Sequence, residues 1–558
     1  MEGPTIPTCR RLFLYSLPLL MLPGAAGASV DRASALHAYA RGRLADGDGA
    51  AALALKNYRQ ALAADPDQLE IARRSYVHAL VSGDMALAMR SATLLDREGA
   101  LPRDGTLLLL SDALNRKDWQ AAHGFADRIA TEGNFAFLVP ILRSWIALGE
   151  GKVAAVDAAG TDRFASLVRR YLDEHAAMQA LARGDVKAAE PAVHRALALR
   201  TVDLAELRLS FAAQLAGRGA KAQALALLPP NQANYALARD RLTKGKGAGA
   251  AGKPLTPSQG YGRLLTRLAT DISTDEATRM LGIRLARIGS FANPSGADNR
   301  IVLAKLLGEA GYSHSAAAEA GKIPVNSWFG TLGRAVLVDV LARSDDRAGA
   351  VSLARSLAAA PGAEAERHVR LGTLLADAKD FSGAAKAFRD AQARYAPDAI
   401  PWALLLFEGS ALEQGCRWDD ARGVLERAAS MAPDEPLVLN YLGYAQIERR
   451  QNIDAALALL KRASALKPQD ASILDSLGWA HFVTGNMKEA VPVLERAAAG
   501  APDDATINEH LGDALWTAGR RFEARYAWNA AAVFAEGEAV ARLALKAKEG
   551  WKPEYAAR

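Results

Sequence analysis

The sequence predicts an all-α fold, an α-solenoid built from antiparallel helix pairs. Three observations carry this. Four glycines, Gly409, Gly443, Gly478 and Gly512, follow one another at spacings of 34, 35 and 34 residues. Each is followed at nearly fixed offset by an alanine, a large apolar residue, a second alanine and usually a proline. After Gly478 these are Ala490, Leu494, Ala497 and Pro502. After Gly409 they are Ala421, Leu425, Ala428 and Pro433. After Gly443, with one residue inserted, they are Ala456, Leu460, Ala463 and Pro468. After Gly512 they are Ala524, Trp528 and Ala531, without the proline. The third observation is composition: half the residues are apolar and only 6% aromatic, with alanine and leucine dominant, which suits helices and leaves little material for sheets.

Each residue type has a packing reason. Small side chains at Gly478, Ala490 and Ala497 let two helices approach closely, and Leu474, Leu477 and Leu494 fill the space between them. The proline ends the second helix because it cannot extend the hydrogen-bond ladder. A fixed period near 34 marks stacked helix pairs. On these residues the stretch 402–538 resembles the tetratricopeptide repeat (TPR) family. That resemblance implies a superhelix whose inner, concave face is lined by the first helix of each pair.

At the start of the chain, residues 1–28 look like an export signal. Arg10 and Arg11 give a positive segment, Leu12 to Leu22 an apolar core, and Ala26-Gly27-Ala28 a small-residue cleavage site. The apolar run is short for a membrane span. Arg10-Arg11-Leu12-Phe13-Leu14 also resembles a twin-arginine signal, with the general export route as the preferred reading. No cysteine follows the apolar core, so no lipid-anchor site is seen. After cleavage Cys416 is the sole cysteine, which excludes an internal disulfide or a thiolate metal cluster. It falls in a turn between two helices. The formal net charge is +6, and +5 without Arg10, Arg11 and Glu2. Spread over so long a chain, this gives no nucleic-acid footprint.

The mature chain then opens on a repeat over 35–68, with Gly42, Ala54, Tyr58, Ala61 and Pro66 at the spacings above. Worn-down pairs follow over 69–99, 106–131, 175–199 and 205–228. Pro191 and Pro492 each lie seven residues after a turn glycine, Gly184 and Gly485. That offset puts both near the start of a second helix, where a missing amide sacrifices little. Residues 242–257 carry Lys244, Lys246 and Lys253 among Gly245, Gly247, Gly249 and Gly252, and read as a flexible linker. The open alternative is a surface loop within one continuous superhelix. Helical periodicity resumes over 260–288, degenerate pairs follow over 299–318 and 328–357, and 365–401 restores the motif with Gly372, Ala384, Phe388, Ala391 and Pro397. A polar last helix carrying Lys546 and Lys548 is suited to capping the array. The expected division is therefore an export signal at 1–28, degenerate repeats at 29–241, a linker at 242–257, degenerate repeats at 258–364, well-matched repeats at 365–538, and a capping helix with tail at 539–558.

No catalytic or cofactor motif stands out. The nine histidines show no metal-ligand spacing, no Gly-x-Ser-x-Gly elbow occurs, and the glycine run at 245–252 follows no strand. His481 falls at a packing position. Helices account for nearly the whole chain, which leaves no enzyme half, no metal and no cofactor to expect.

Carrying the family's inner-face offsets onto this sequence gives Leu437, Asn440, Tyr444 and Ile447 in the Gly443 unit. The Gly478 unit gives Ser472, Asp475, Trp479 and Phe482, and the Gly512 unit gives Thr506, Glu509, Asp513 and Trp516. Residues three or four apart share a helical face. From these the expected partner-binding groove is Asn440, Tyr444, Asp475, Trp479, Phe482, Glu509, Asp513 and Trp516. Aromatic anchors are common at binding surfaces. Asp475, Glu509 and Asp513 add negative charge, which departs from family members that clamp a carboxylate with basic residues. Asn440 could bond the backbone of an extended peptide. The competing reading is that Tyr444 and Trp479 simply pack between repeats. The phrases around Leu439–Tyr444, Leu474–Trp479 and Ile507–Asp513 resemble a proteobacterial group of exported TPR proteins. Some of those are outer-membrane lipoproteins that hold a processing protease and its substrates. The resemblance implies a periplasmic scaffold or adaptor for a protein or peptide, such as an envelope protease or an assembly machine. A cell-wall adaptor binding glycan is the alternative, and an enzyme of unrecognised class is a further rival.

Overall fold

The computed structural model describes residues 26–154, 165–198, 205–344 and 346–555. The expected export signal therefore lies, apart from its last three residues, outside the described residues. Among the described residues there are 29 α-helices and no strand. None of these helices is long and apolar enough to cross a membrane. The chain divides into two compact units between Arg343 and Ser344.

The first unit begins with α1 (Ala26–Gly47), α2 (Ala51–Ala64), α3 (Leu69–Ser82), α4 (Met85–Arg97), α5 (Arg103–Arg116), α6 (Trp119–Glu132) and α7 (Val139–Gly149). It continues with α8 (Ala165–Ala182), α9 (Val186–Ala198), α10 (Ala205–Gly217), α11 (Lys221–Ala226) and α12 (Ala233–Thr243). It closes with α13 (Pro257–Ile272), α14 (Glu276–Ala292), α15 (Ala297–Glu309), α16 (Ser313–Gly321) and α17 (Gly330–Ala342). The second unit holds α18 (Arg347–Ala358), α19 (Ala365–Asp377), α20 (Phe381–Gln392), α21 (Trp402–Gln414), α22 (Trp418–Met431) and α23 (Pro436–Glu448). Then come α24 (Ile453–Leu466), α25 (Ala471–Val483), α26 (Met487–Gly500), α27 (Ala505–Thr517), α28 (Arg521–Phe534) and α29 (Glu538–Glu549).

The second unit is a run of helix pairs in which each helix packs on its chain neighbours. The glycine periodicity has the expected cause. A Cβ on Gly478 would lie 2.6 Å from Leu494 of the partner helix, and one on Gly512 would run into Trp528. Two first helices start alike as well. Asp470 and Asp504 cap α25 and α27, their carboxylates accepting from the Ile473 and Ile507 amides at 3.2 and 3.0 Å. Burial is local: Leu439, Ala463 and Ile473 form one small cluster, and Leu474, Ala497 and Ile507 the next.

The first unit is built differently. Pairs α1–α2, α3–α4, α5–α6 and α8–α9 form where expected, but α13 and α14 do not simply extend the series. They pack on α3, α5, α7 and α8, far back in the chain. The Tyr261 hydroxyl donates to the Leu107 carbonyl at 2.8 Å. Arg284 reaches Asp104 at 2.6 Å, and Arg287 donates to the Val81 carbonyl at 3.2 Å and to Glu319 at 2.6 Å. One continuous apolar cluster results, running from Ala35 to Val340.

Three expectations meet a different outcome. Residues 242–257 do not divide the units. They fold against α10, where Gln214 donates to the Ala251 and Lys253 carbonyls at 2.7 and 2.8 Å and Arg218 to the Gly252 carbonyl at 2.7 Å. Gly217 packs on the Gly252 backbone with no room for a side chain, so Gly252 serves close approach, while Gly245 and Gly249 adopt a positive φ. Pro191 and Pro492 do share one geometry, each the sixth residue of its helix. That is past the free amides of the first turn, so each removes a helical hydrogen bond. Lys546 is not a surface residue of a polar cap: it is fully buried, while Val540 and Leu545 of α29 face outward.

Candidate partner-binding site

The residues expected to line a groove sit on the first helices of successive pairs, α23, α25 and α27. Four of the eight, Asp475, Trp479, Glu509 and Asp513, are engaged by the next first helix along. Asp475 is buried and faces His510, with Nδ1 at 3.0 Å from both carboxylate oxygens. Burial pulls the His510 imidazole down, but the Asp475 carboxylate outweighs it and the pKa is raised. Trp479 is 4% exposed. Its ring stacks on Phe482 at 4.8 Å and on His510 at 4.0 Å, and its Nε1 donates to Glu448 at 2.5 Å. Phe482 in turn meets Trp551 edge-on at 5.9 Å.

Glu509 and Asp513 are buried beneath α29. Arg542 grips Glu509 through two nitrogens at 2.8 and 2.9 Å, and the Lys546 ammonium reaches Glu509 at 2.7 Å and Asp513 at 2.7 Å. Burial pushes both carboxyls up. At Glu509 the two cations reverse this and its pKa falls, whereas at Asp513 burial prevails and its pKa rises. Trp528 Nε1 also donates to Asp513, at 2.9 Å. Trp516 packs on Trp528 at 5.5 Å and lies under the guanidinium groups of Arg525 and Arg521, 4.9 and 5.3 Å from its ring centre. Asn440 is half-buried, and its Oδ1 has no hydrogen-bond partner among the described residues.

One part of this face is open. A cavity of about 540 Å³ is lined by Glu413, Tyr441, Tyr444, Ala445, Glu448 and Arg449. Of the eight expected groove residues only Tyr444 lines it. Tyr441, Tyr444, Ala445 and Glu448 recur at helical spacing, so α23 presents them together, and Glu413 comes from the end of α21. Arg449 is tied down: it meets Glu413 at 2.5 Å, donates to the Ala445 carbonyl at 2.9 Å and lies 4.5 Å over the Trp418 ring. The Tyr441 hydroxyl lies 3.0 Å from Ser410 Oγ and 3.3 Å from Glu413. Burial raises the Tyr444 phenol well above its ordinary pKa, and the charges of Glu448, Asp475 and Glu413 raise it further.

Sequence reasoning missed Glu413 and Glu448. The signal for Glu413 was present, because the offsets used for the later glycines, applied to Gly409, give Ser410 and Glu413. Glu448 lies five residues beyond Gly443, outside those offsets, though four beyond Tyr444.

The paired helices, their close glycine contacts and their period define an α-solenoid of antiparallel helix pairs, the arrangement that the TPR resemblance implies. No family model and no curated protein matches the chain. Among solved structures, yeast Tom70 aligns over 92% of this chain and 95% of its own, at 13% identity and a TM-score of 0.37. MamA from Desulfovibrio magneticus RS-1 aligns over 30% of this chain and 94% of its own, at 16% identity and a TM-score of 0.27. MamA MSR-1 aligns over 30% and 95%, at 22% identity and a TM-score of 0.26. All three scores are below 0.5, so the fold assignment stands on the chain's own packing.

Proposed function

We propose that this protein is a non-catalytic scaffold that binds a protein or peptide partner on the first-helix face of its second unit. The observation that carries this is the open cavity between α21 and α23. Further along the same face the polar side chains are already paired with their neighbours, and here they are not all paired. The volume, about 540 Å³, lies within the ~300–1,000 Å³ typical of ligand pockets. The half-buried rings of Tyr441 and Tyr444 beside polar groups match the usual composition of an interaction anchor. The glycan alternative relied on Trp479 and Trp516 as stacking platforms. Trp479 is covered on both sides of its stack and offers no face to a sugar.

Export to a periplasm is part of the same proposal, supported by Arg10, Arg11, the leucine-rich core and the Ala26-Gly27-Ala28 site. An envelope protease or an assembly machine is the kind of partner that location would supply. A photo-crosslinking residue placed at Tyr444 tests the scaffold reading in producing cells, with Arg422 on α22 as the control position. A discrete adduct from Tyr444 alone is expected. No adduct, or the same adduct from both positions, would overturn the reading. Cell fractionation with and without residues 1–28 tests export: loss of the periplasmic pool on deletion is expected.

A further inference from the structure

We infer that the cavity on α23 is a receptor for a single cationic side chain, an arginine or lysine of the bound partner, held over Tyr444 and paired with Glu448. The inference rests on the scaffold reading and specifies what the cavity selects.

The charges lining the cavity decide its sign. It has three ionic groups, Glu413, Glu448 and Arg449. Arg449 is committed to Glu413, to a backbone carbonyl and to the Trp418 ring, so this pair cancels. Glu448 is left. Its Oε1 accepts from Trp479 Nε1, and its Oε2 has no partner among the described residues. Asp475, the next carboxylate behind the wall, is answered by His510. The uncompensated charge facing the cavity is therefore one negative charge, on Glu448.

The aromatic wall agrees with that sign. A ring presents a negative face, and its attraction for a cation strengthens as water is excluded. Tyr444 stands one helical turn before Glu448 on the same side of α23, and Tyr441 one turn before Tyr444. Burial is the main cause of the upward shift of the Tyr444 phenol, and the negative charges of Glu448, Asp475 and Glu413 add to it. An anionic ligand would have to displace Arg449 from Glu413 or approach Glu448 directly. An apolar side chain would strip water from Glu448 Oε2 without replacing it, which a cation does not. A cation satisfies both the carboxylate and the ring.

A random dodecamer peptide library displayed on phage, selected against the full chain, tests this. The selected peptides are expected to share one arginine or lysine. In solution, replacing that residue with citrulline, which keeps the shape and removes the charge, is expected to weaken binding at least tenfold. Glu448→Gln keeps the acceptor for Trp479 and is expected to weaken the arginine peptide similarly while leaving the citrulline peptide unchanged. Selected peptides that lack a basic position, or a citrulline peptide that binds as tightly, overturn the cation assignment and leave the scaffold reading standing. No selected peptide, or peptides indifferent to Tyr444→Ala, overturns both. The citrulline comparison needs no variant protein, so it does not depend on how a substitution folds.

Discussion

The two units bury their apolar residues in contrasting ways. In the second, the clusters are small and span neighbouring helices, as with Leu439, Ala463 and Ile473. In the first, one cluster runs from Ala35 to Val340, and hydrogen bonds join residues up to 206 positions apart. A nearest-neighbour array spreads its stability over many small interfaces. The first unit, with α13 and α14 packed on α3, α5, α7 and α8, concentrates it in contacts shared by many helices. The same substitution type should therefore act locally in the second unit and globally in the first.

The largest effect should come from Glu319→Ala. It strips the buried Arg287 of its carboxylate partner, and breaking a buried pair costs about 3–5 kcal/mol. Hydrogen exchange resolved by segment should rise in α3, α14 and α16 together. A rise confined to α16 would remove the contrast between the units. Next in size is a pH effect at His175. Burial, with Arg263 and Arg267 near it, lowers its pKa to about 3 from 6.5, and its Nδ1 accepts from Trp145 at 3.0 Å. The folded chain holds this imidazole neutral while the unfolded chain takes up a proton below pH 6.5. Stability of the first unit should thus fall as pH drops, by about 1.4 kcal/mol per pH unit or about 2 kcal/mol between pH 6.5 and 5. Denaturant unfolding should show that slope, and His175→Gln should flatten it.

A smaller effect is expected at Gly478→Ala. The added Cβ meets Leu494, a strain of about 1–3 kcal/mol, offset by up to about 1 kcal/mol of gained helix propensity. The loosening should be confined to α25, α26 and their immediate neighbours in hydrogen exchange. Equal loosening at α19 would mean the second unit is not a nearest-neighbour array. Smallest is His510, whose raised pKa has the opposite sign to His175. Its contribution is present in full below pH 6.5 and is lost as pH rises through the folded value. Warming scans from pH 6 to 8 should therefore show the second unit weakening, and Asp475→Asn should abolish the trend.

The contrast also separates what the sequence reveals from what it hides. Gly409, Gly443, Gly478 and Gly512 are legible because each repeats the same local demand, a close approach to the partner helix. Tyr261, Arg284 and Arg287 repeat nothing. Their partners Leu107, Asp104 and Val81 are set by how helices distant in the chain meet, and no period encodes that. The candidate site is an intermediate case. Tyr444 follows from the glycine offset, but Asp475, Glu509 and Asp513 looked free because their partners lie one repeat onward. His510 is 35 residues beyond Asp475, and Lys546 is 37 beyond Glu509 and 33 beyond Asp513. Side chains about one period apart meet across successive first helices, so a charge pairing at that distance was readable in principle.

The small separate clusters of the second unit also have a mechanical meaning. Under tension applied at its two ends, no single core has to rupture. One pair can peel from the next, giving up one cluster such as Leu474, Ala497 and Ile507 while the remaining pairs hold. The unit should extend in a series of modest steps and rewind from whichever pairs survive. Such a segment can yield to a pulling partner without losing its fold.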